Sequence, residues 1–176
     1  MKMHVKKLKR DKRPHPQFVI PLREIWYHRC VMTWCGKVYP RHKRGCPKFG
    51  AAYGCPPNSE YVLDVIDFTK PVYIVYNTFD LAAHMRKMEK RHPEWSDAML
   101  RNVLYWQPKS RKGLNTRLNM CFDKGYIRGD SVSSGEHIGV NLYATCRRHG
   151  LQLDRIAVMK VCHHMVVVFT RKRHRR

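Results

Sequence analysis

Four of the seven cysteines fall close together, in the pattern Cys30-x4-Cys35-x10-Cys46-x8-Cys55. Thiolates are soft, anionic donors that bind zinc and iron well. Cys46 and Cys55 are each followed by proline, in Cys46-Pro47-Lys48-Phe49-Gly50 and Tyr53-Gly54-Cys55-Pro56-Pro57. The prolines fix φ and remove backbone donors, and the glycines permit the tight turns that let sulfurs converge. This is not the paired C-x2-C spacing of a zinc ribbon. Loose spacing with Cys-Pro steps is at least as compatible with an iron–sulfur cluster as with zinc. An odd number of cysteines argues against a closed disulfide framework, and in a reducing compartment clustered cysteines are metal ligands or catalytic groups more often than disulfides. Cys121, read as part of a loop, is the fifth candidate ligand. Cys146 reads as core, and of Cys162-His163-His164 at a strand end at most one of the two histidines can point inward.

Charge is the second signal. The chain has 176 residues, 35 Lys or Arg against 13 Asp or Glu, and a formal net charge of +22. The first 16 residues carry seven of the cations and the last six carry five, which leaves a surplus of about +11 on the body of the chain. So large a surplus costs self-repulsion unless an anion relieves it, and the usual partner is a phosphate backbone. RNA or DNA is therefore the expected partner. Arg41, Lys43, Arg44 and Lys48, interleaved with the cysteines, are the candidate phosphate contacts. Trp26, Tyr27, Trp34, Tyr39 and Tyr53, close to these cations, are candidates to stack bases. Oligomeric state is not legible. No run of apolar residues is long enough to span a membrane, and no secretory leader is recognised, so the expected location is cytoplasmic.

The elements that must position these residues follow from pattern. Residues 1–17 read as a flexible basic arm, 18–170 as a single small α/β domain with a mixed sheet flanked by helices, and 171–176 as a basic tail. The segment from Cys30 to Pro57 holds four Gly, four Pro and four Cys. It cannot bury much apolar surface, so a bound metal is its expected source of order. Ser59 is expected to cap a short helix running to Phe68. Val72–Tyr76 reads as a buried strand. A helix is predicted over 80–91, a second from near Pro93, an irregular loop over 107–133, and a third helix over 135–149 stopped by Gly150. Ile138, Leu142, Thr145 and Cys146 form the buried face of that helix. The chain from Ile156 to Thr170 reads as two strands in a hairpin.

The Cys-Pro steps, from Cys46 to Gly50 and from Tyr53 to Pro57, resemble the signature of the DUF2284 family of predicted metal-binding proteins. There a Cys-Pro-x-Tyr-Gly step leads to Cys-Pro-Pro, then a helix and a strand. Phe49 stands at the tyrosine position, after which the gap is slightly longer. A second patch, Ser134-Gly135-Glu136-His137-Ile138-Gly139-Val140-Asn141-Leu142, is similar to the family's segment opening a helix that ends in Gly. Its cysteine falls on Ile138, and the family's compact cysteine run is reduced to Cys121, followed by Arg128. Cys30 and Cys35 lie upstream instead. The resemblance covers roughly residues 45–80 and 117–169. It implies a metal, iron–sulfur first, in a rearranged ligand set, and it implies no particular reaction and no nucleic acid.

Two functions of different class follow. One is an iron–sulfur protein acting on or bound to a nucleic acid or nucleotide; an open iron, if three cysteines ligate, would bind substrate or sulfur. The other is a non-catalytic RNA- or DNA-binding module with a structural four-cysteine zinc site, ribosome- or particle-associated as a further variant. No P-loop, dinucleotide fingerprint, deaminase signature or Ser-His-Asp cue is present.

Overall fold

The β-branched and aromatic runs at Val72–Tyr76 and Met165–Phe169 build the centre of the molecule. A computed structural model describes residues 2–38, 45–46, 48–153 and 160–173. In it β2 (Val19–Pro21), β4 (Tyr73–Asp80), β5 (Ser131–Ser133) and β6 (Val161–Phe169) form a sheet in the order β2-β4-β6-β5. The long pair β4–β6 runs in register from Tyr73 opposite Val168 to Asp80 opposite Val161. Both faces of this pair are covered, so the strands read as continuous apolar runs rather than alternating ones.

The small α/β domain is as expected, but each of these pairings is antiparallel, where a mixed sheet was the expectation. The end of β4 lies beside the start of β6. The intervening helices leave and return at the same end of the sheet, so no crossover makes a parallel pair.

One face of the sheet, with Ile74, Val167 and Phe169, packs on β3 (Glu24–Tyr27), α2 (Val62–Val65) and α6 (Leu142–Arg148). The other face, with Tyr73, Val75 and Val168, packs on α5 (Val103–Asp123). A smaller cluster of Leu81, Trp106 and Cys162 joins the sheet's end to α3 (Leu81–Arg91) and α5. Asp80 caps α3 by accepting from the Ala83 N–H at 2.7 Å, which confirms the helix expected over 80–91. A one-turn helix, α4 (Asp97–Leu100), precedes α5.

Residues 107–123 lie in a 21-residue helix, not the irregular loop expected over 107–133. Pro108 falls near the helix's first turns, so it costs one backbone bond there rather than breaking the interior. Gly113 lies where α5 crosses β4. A Cβ would come within 2.9 Å of the Asn77 amide nitrogen, which itself donates to the Ser110 carbonyl at 3.2 Å. The apolar stripe of Trp106, Leu114, Leu118 and Cys121 is thin among cations, which hides the period in the sequence.

The third helix is shorter than 135–149. A 3₁₀ turn over Glu136–Ile138 ends at Gly139 (φ +93°), and α6 begins after Asn141 caps it. The predicted inward face holds, with Ile138, Leu142, Thr145 and Cys146 all buried. Ser59 does not cap α2. Its hydroxyl donates to the His137 carbonyl at 2.6 Å, and the cap position is Tyr61.

Of the two strands expected at the C-terminal end, the second is present within β6; residues 154–159, which hold most of the first, lie outside the described residues.

Residues 4–15, expected within a flexible arm, are tied down. β1 (His4–Lys7) pairs antiparallel with β3. Asp11 accepts from the Tyr73 hydroxyl at 2.6 Å and from the Arg13 guanidinium at 2.6 Å, and Arg13 donates to the Gly125 carbonyl at 2.9 Å. The start of the expected tail is also held, since Ile66 bridges to Arg171 and the Lys172 N–H donates to the Val65 carbonyl. Among the described residues no helix is long and apolar enough to cross a membrane.

Candidate metal centre and basic surface

The cysteine segment starts at His28, whose Nδ1 accepts from the Cys30 N–H at 3.1 Å and so caps α1 (Arg29–Met32). A 3₁₀ turn, Thr33–Gly36, carries Cys35. The chain later returns alongside it: the Cys46 N–H donates to the Cys35 carbonyl at 2.8 Å. Gly45 makes the approach possible. At φ +73° a Cβ there would lie 2.6 Å from the Gly36 carbonyl carbon, a distance no side chain tolerates. Phe49 N–H then donates to Cys46, Gly50 N–H to Pro56, and Cys55 N–H to Ala52, closing the turns that the Gly and Pro content predicts.

These turns gather three of the expected ligands. Burial raises the Cys35 thiol, and the nearby charges of Glu136, Cys46 and Cys55 raise it further. Burial also raises the Glu136 carboxyl. Three thiols and one carboxyl thus share a neighbourhood in which burial favours the neutral forms of Cys35 and Glu136. They do not form a coordination shell: among the described residues no group of three or more His, Cys, Asp or Glu side chains stands where it would hold a metal ion.

The other two expected ligands are not among the groups that act on Cys35. Cys30 lies near Tyr61, whose hydroxyl it helps to raise after burial, Tyr27 and Arg29 have acted. Cys121 is buried on α5 with Val75, Leu114 and Val168, across the sheet from the cysteine segment. It lies on a helix rather than in a loop, and that placement removes it from the candidate set. Cys146 is core as expected; its thiol contacts the Met165 sulfur at 3.6 Å, and burial pushes it up to about 12. Cys162 packs with Leu81 and Trp106.

Of the expected phosphate contacts, Arg41, Lys43 and Arg44 lie outside the described residues, as does Tyr39, and Lys48 is exposed. Tyr27 is core, and Tyr53 is fully exposed. Trp26 donates to Glu24 at 3.1 Å with the Arg148 guanidinium 5.3 Å from its ring centre, and Lys37 lies over Trp34.

The cations that sequence reading missed are on helices. α5 exposes Lys109, Arg111 and Lys112, and α3 exposes Arg86, Lys87, Lys90 and Arg91. The two helices meet electrostatically at His84, which burial and then Lys109 and Lys87 keep neutral. Arg111 acts on His164 in the same way, after burial. The signal was present as a run of cations at 109, 111 and 112, but reading 107–133 as a loop gave it no face. Compared with known proteins, the chain matches no family model, no curated protein and no solved structure.

Proposed function

We propose that the protein binds nucleic acid, with the cations of α3 and α5 contacting phosphates. One observation carries the reading. With 35 cations and 13 carboxylates, at least 22 cationic side chains have no carboxylate of their own anywhere in the chain. Several of them stand together on two adjacent helices, close enough that Lys87 and Lys109 act on one imidazole. Packing like charges on a folded face is unfavourable unless a polyanion neutralises them. Titration of labelled single-stranded RNA, single-stranded DNA and duplex over a range of salt tests it. Log affinity should fall linearly with log salt, with a slope of roughly 0.7–0.9 per neutralised phosphate. Absence of binding to all three at low salt rejects it.

A second reading is supported by the convergence of Cys35, Cys46 and Cys55 and by the resemblance of the Cys-Pro steps to a metal-binding family: the segment takes up iron–sulfur, or zinc. A metal there would need the thiols deprotonated and the turns drawn closer, since they do not stand at ligand positions. Its charge would offset the burial, and the repulsion added to it, that now raise Cys35. Anaerobic purification with a visible spectrum and iron, sulfide and zinc assays tests this reading. Metal that disappears in both Cys46→Ser and Cys55→Ser supports it, and metal-free protein with unaltered variants rejects it.

A further inference from the structure

Beside Cys30, β1, the β3–α1 junction and α2 line an open cleft of about 420 Å³, within the usual range of small-ligand sites, about 300–1,000 Å³. We propose that this cleft takes one unpaired nucleobase of a single strand, guanine in preference to the others; the inference rests on the nucleic-acid reading and names the ligand that the cleft would select.

Its back wall is aromatic and fixed. Tyr27 and Tyr61 are both buried, with ring centres 6.1 Å apart and planes at 66°. Gly139 makes room for this wall, since a Cβ there would lie 2.8 Å from the Tyr61 ring. The backbone of the same turn holds the wall from behind: the His28 N–H donates to the Gly139 carbonyl at 2.9 Å, and Tyr27 bridges to Val140.

A second ring surface comes from the N-terminal strand. The β1–β3 register sets His4 opposite Tyr27. Its exposed imidazole stacks on Tyr27 at 5.7 Å and lies parallel to His28 at 5.5 Å and 5°. Flat aromatic surfaces at one cleft are what a splayed-out base stacks on.

The polar groups are few and complementary. The Arg29 guanidinium sits 4.3 Å from the Tyr61 ring centre, and a guanidinium presents five donors in one plane. Asp64, on α2, lines the same cleft and is acceptor-only when ionised. His28 Nδ1 accepts the Cys30 N–H, so the ring's proton is on Nε2 as a further donor. Guanine alone among the bases offers acceptors at O6 and N7 for an arginine together with N1–H and amino donors for a carboxylate. Adenine puts an amino group where O6 would be, and uracil and cytosine are smaller and lack the N7 edge. Lys6, exposed on β1, is a cation for the flanking phosphate.

Two probes separate this inference from the reading beneath it. The first is calorimetric titration with guanosine, adenosine, cytidine and uridine monophosphates, which needs no basic helix face. Guanosine monophosphate should bind about tenfold tighter than the others, a factor typical of one bidentate base contact. Asp64→Asn should abolish that preference, and His4→Ala should weaken all four by roughly tenfold through lost stacking. The second probe is a uridine hexamer with or without one central guanosine. The guanosine-containing strand should bind tighter to the wild type and equally to Asp64→Asn. Both substituted positions are exposed, and unchanged circular dichroism and Tm would exclude misfolding. Equal binding of the four nucleotides, or a preference that survives Asp64→Asn, overturns the cleft assignment even if oligonucleotides still bind. Loss of oligonucleotide binding with intact guanosine monophosphate selectivity overturns the helix-face reading alone.

Discussion

The cysteine segment and the β4–β6 pair are ordered by different physics. In the strand pair, Tyr73, Ile74, Val75, Val167 and Val168 are completely or almost completely withdrawn from water, and eight residues of β4 face eight of β6 in register. Hydrophobic burial sets that arrangement, at about 25 cal/mol per Å² of apolar surface. From Cys35 to Pro57 the described chain is held by backbone turns instead. Its cysteines are half-buried, and Phe49 and Tyr53 are exposed. A segment built this way draws little stability from the core and has thiols to spare, which is the composition expected where a ligand supplies order.

The contrast can be broken from the core side with the largest effect. Ile74→Ala removes a fully buried side chain and should cost about 2–5 kcal/mol, read as a large fall in Tm. If it does not, the sheet is not the main source of stability. Next is Gly45→Ala, where positive φ and the 2.6 Å approach to Gly36 should cost about 1–3 kcal/mol. The loss should be local, seen as faster proteolysis at Lys37 and Lys48 with a smaller change in Tm than Ile74→Ala gives.

Acid should act on the N-terminal anchor. The Arg13 guanidinium, aided by the Tyr73 hydroxyl, holds the Asp11 carboxyl well below the usual carboxylate range, and Tyr73 is raised to about 12 by burial and by Asp11. A depressed carboxyl contributes stability that is present above its unfolded value near 3.8 and is lost as pH falls below that. Tm should therefore drop below about pH 4, and Asp11→Asn should lower it at neutral pH while flattening the acid limb. The smallest effect is at Tyr53, fully exposed: Tyr53→Ala should change stability by no more than about 0.5 kcal/mol.

Legibility followed the strength of the local pattern. The strand at Val72–Tyr76 and the helix over 81–91 were readable because a β-branched run and a capped amphipathic period each speak unambiguously. The inward face of Ile138, Leu142, Thr145 and Cys146 was readable for the same reason. α5 was not, because Pro108, Gly113 and scattered cations imitate a loop, and only the crossing at Asn77 explains the glycine. The turns that return Cys46 alongside Cys35 were visible in the Gly and Pro spacing, whereas Cys121 was misplaced along with its helix. The cleft at Tyr61 was invisible, since it depends on a β1–β3 pairing between residues far apart in sequence and on the close approach at Gly139.

The proposed nucleic-acid contact belongs to a folded face, not to charge in general. The direct test compares two variants with equal loss of charge: Lys109, Arg111 and Lys112 changed together to Gln on α5, and Lys2, Lys9 and Lys12 changed together to Gln near the N-terminus. Affinity for a labelled single strand is measured for both across a salt series. The α5 variant should lose most of its affinity and two to three phosphates' worth of salt dependence, roughly 0.7 per phosphate on a single strand, while the N-terminal variant should change far less. Equal losses in the two variants, or no loss in the α5 variant, would contradict it.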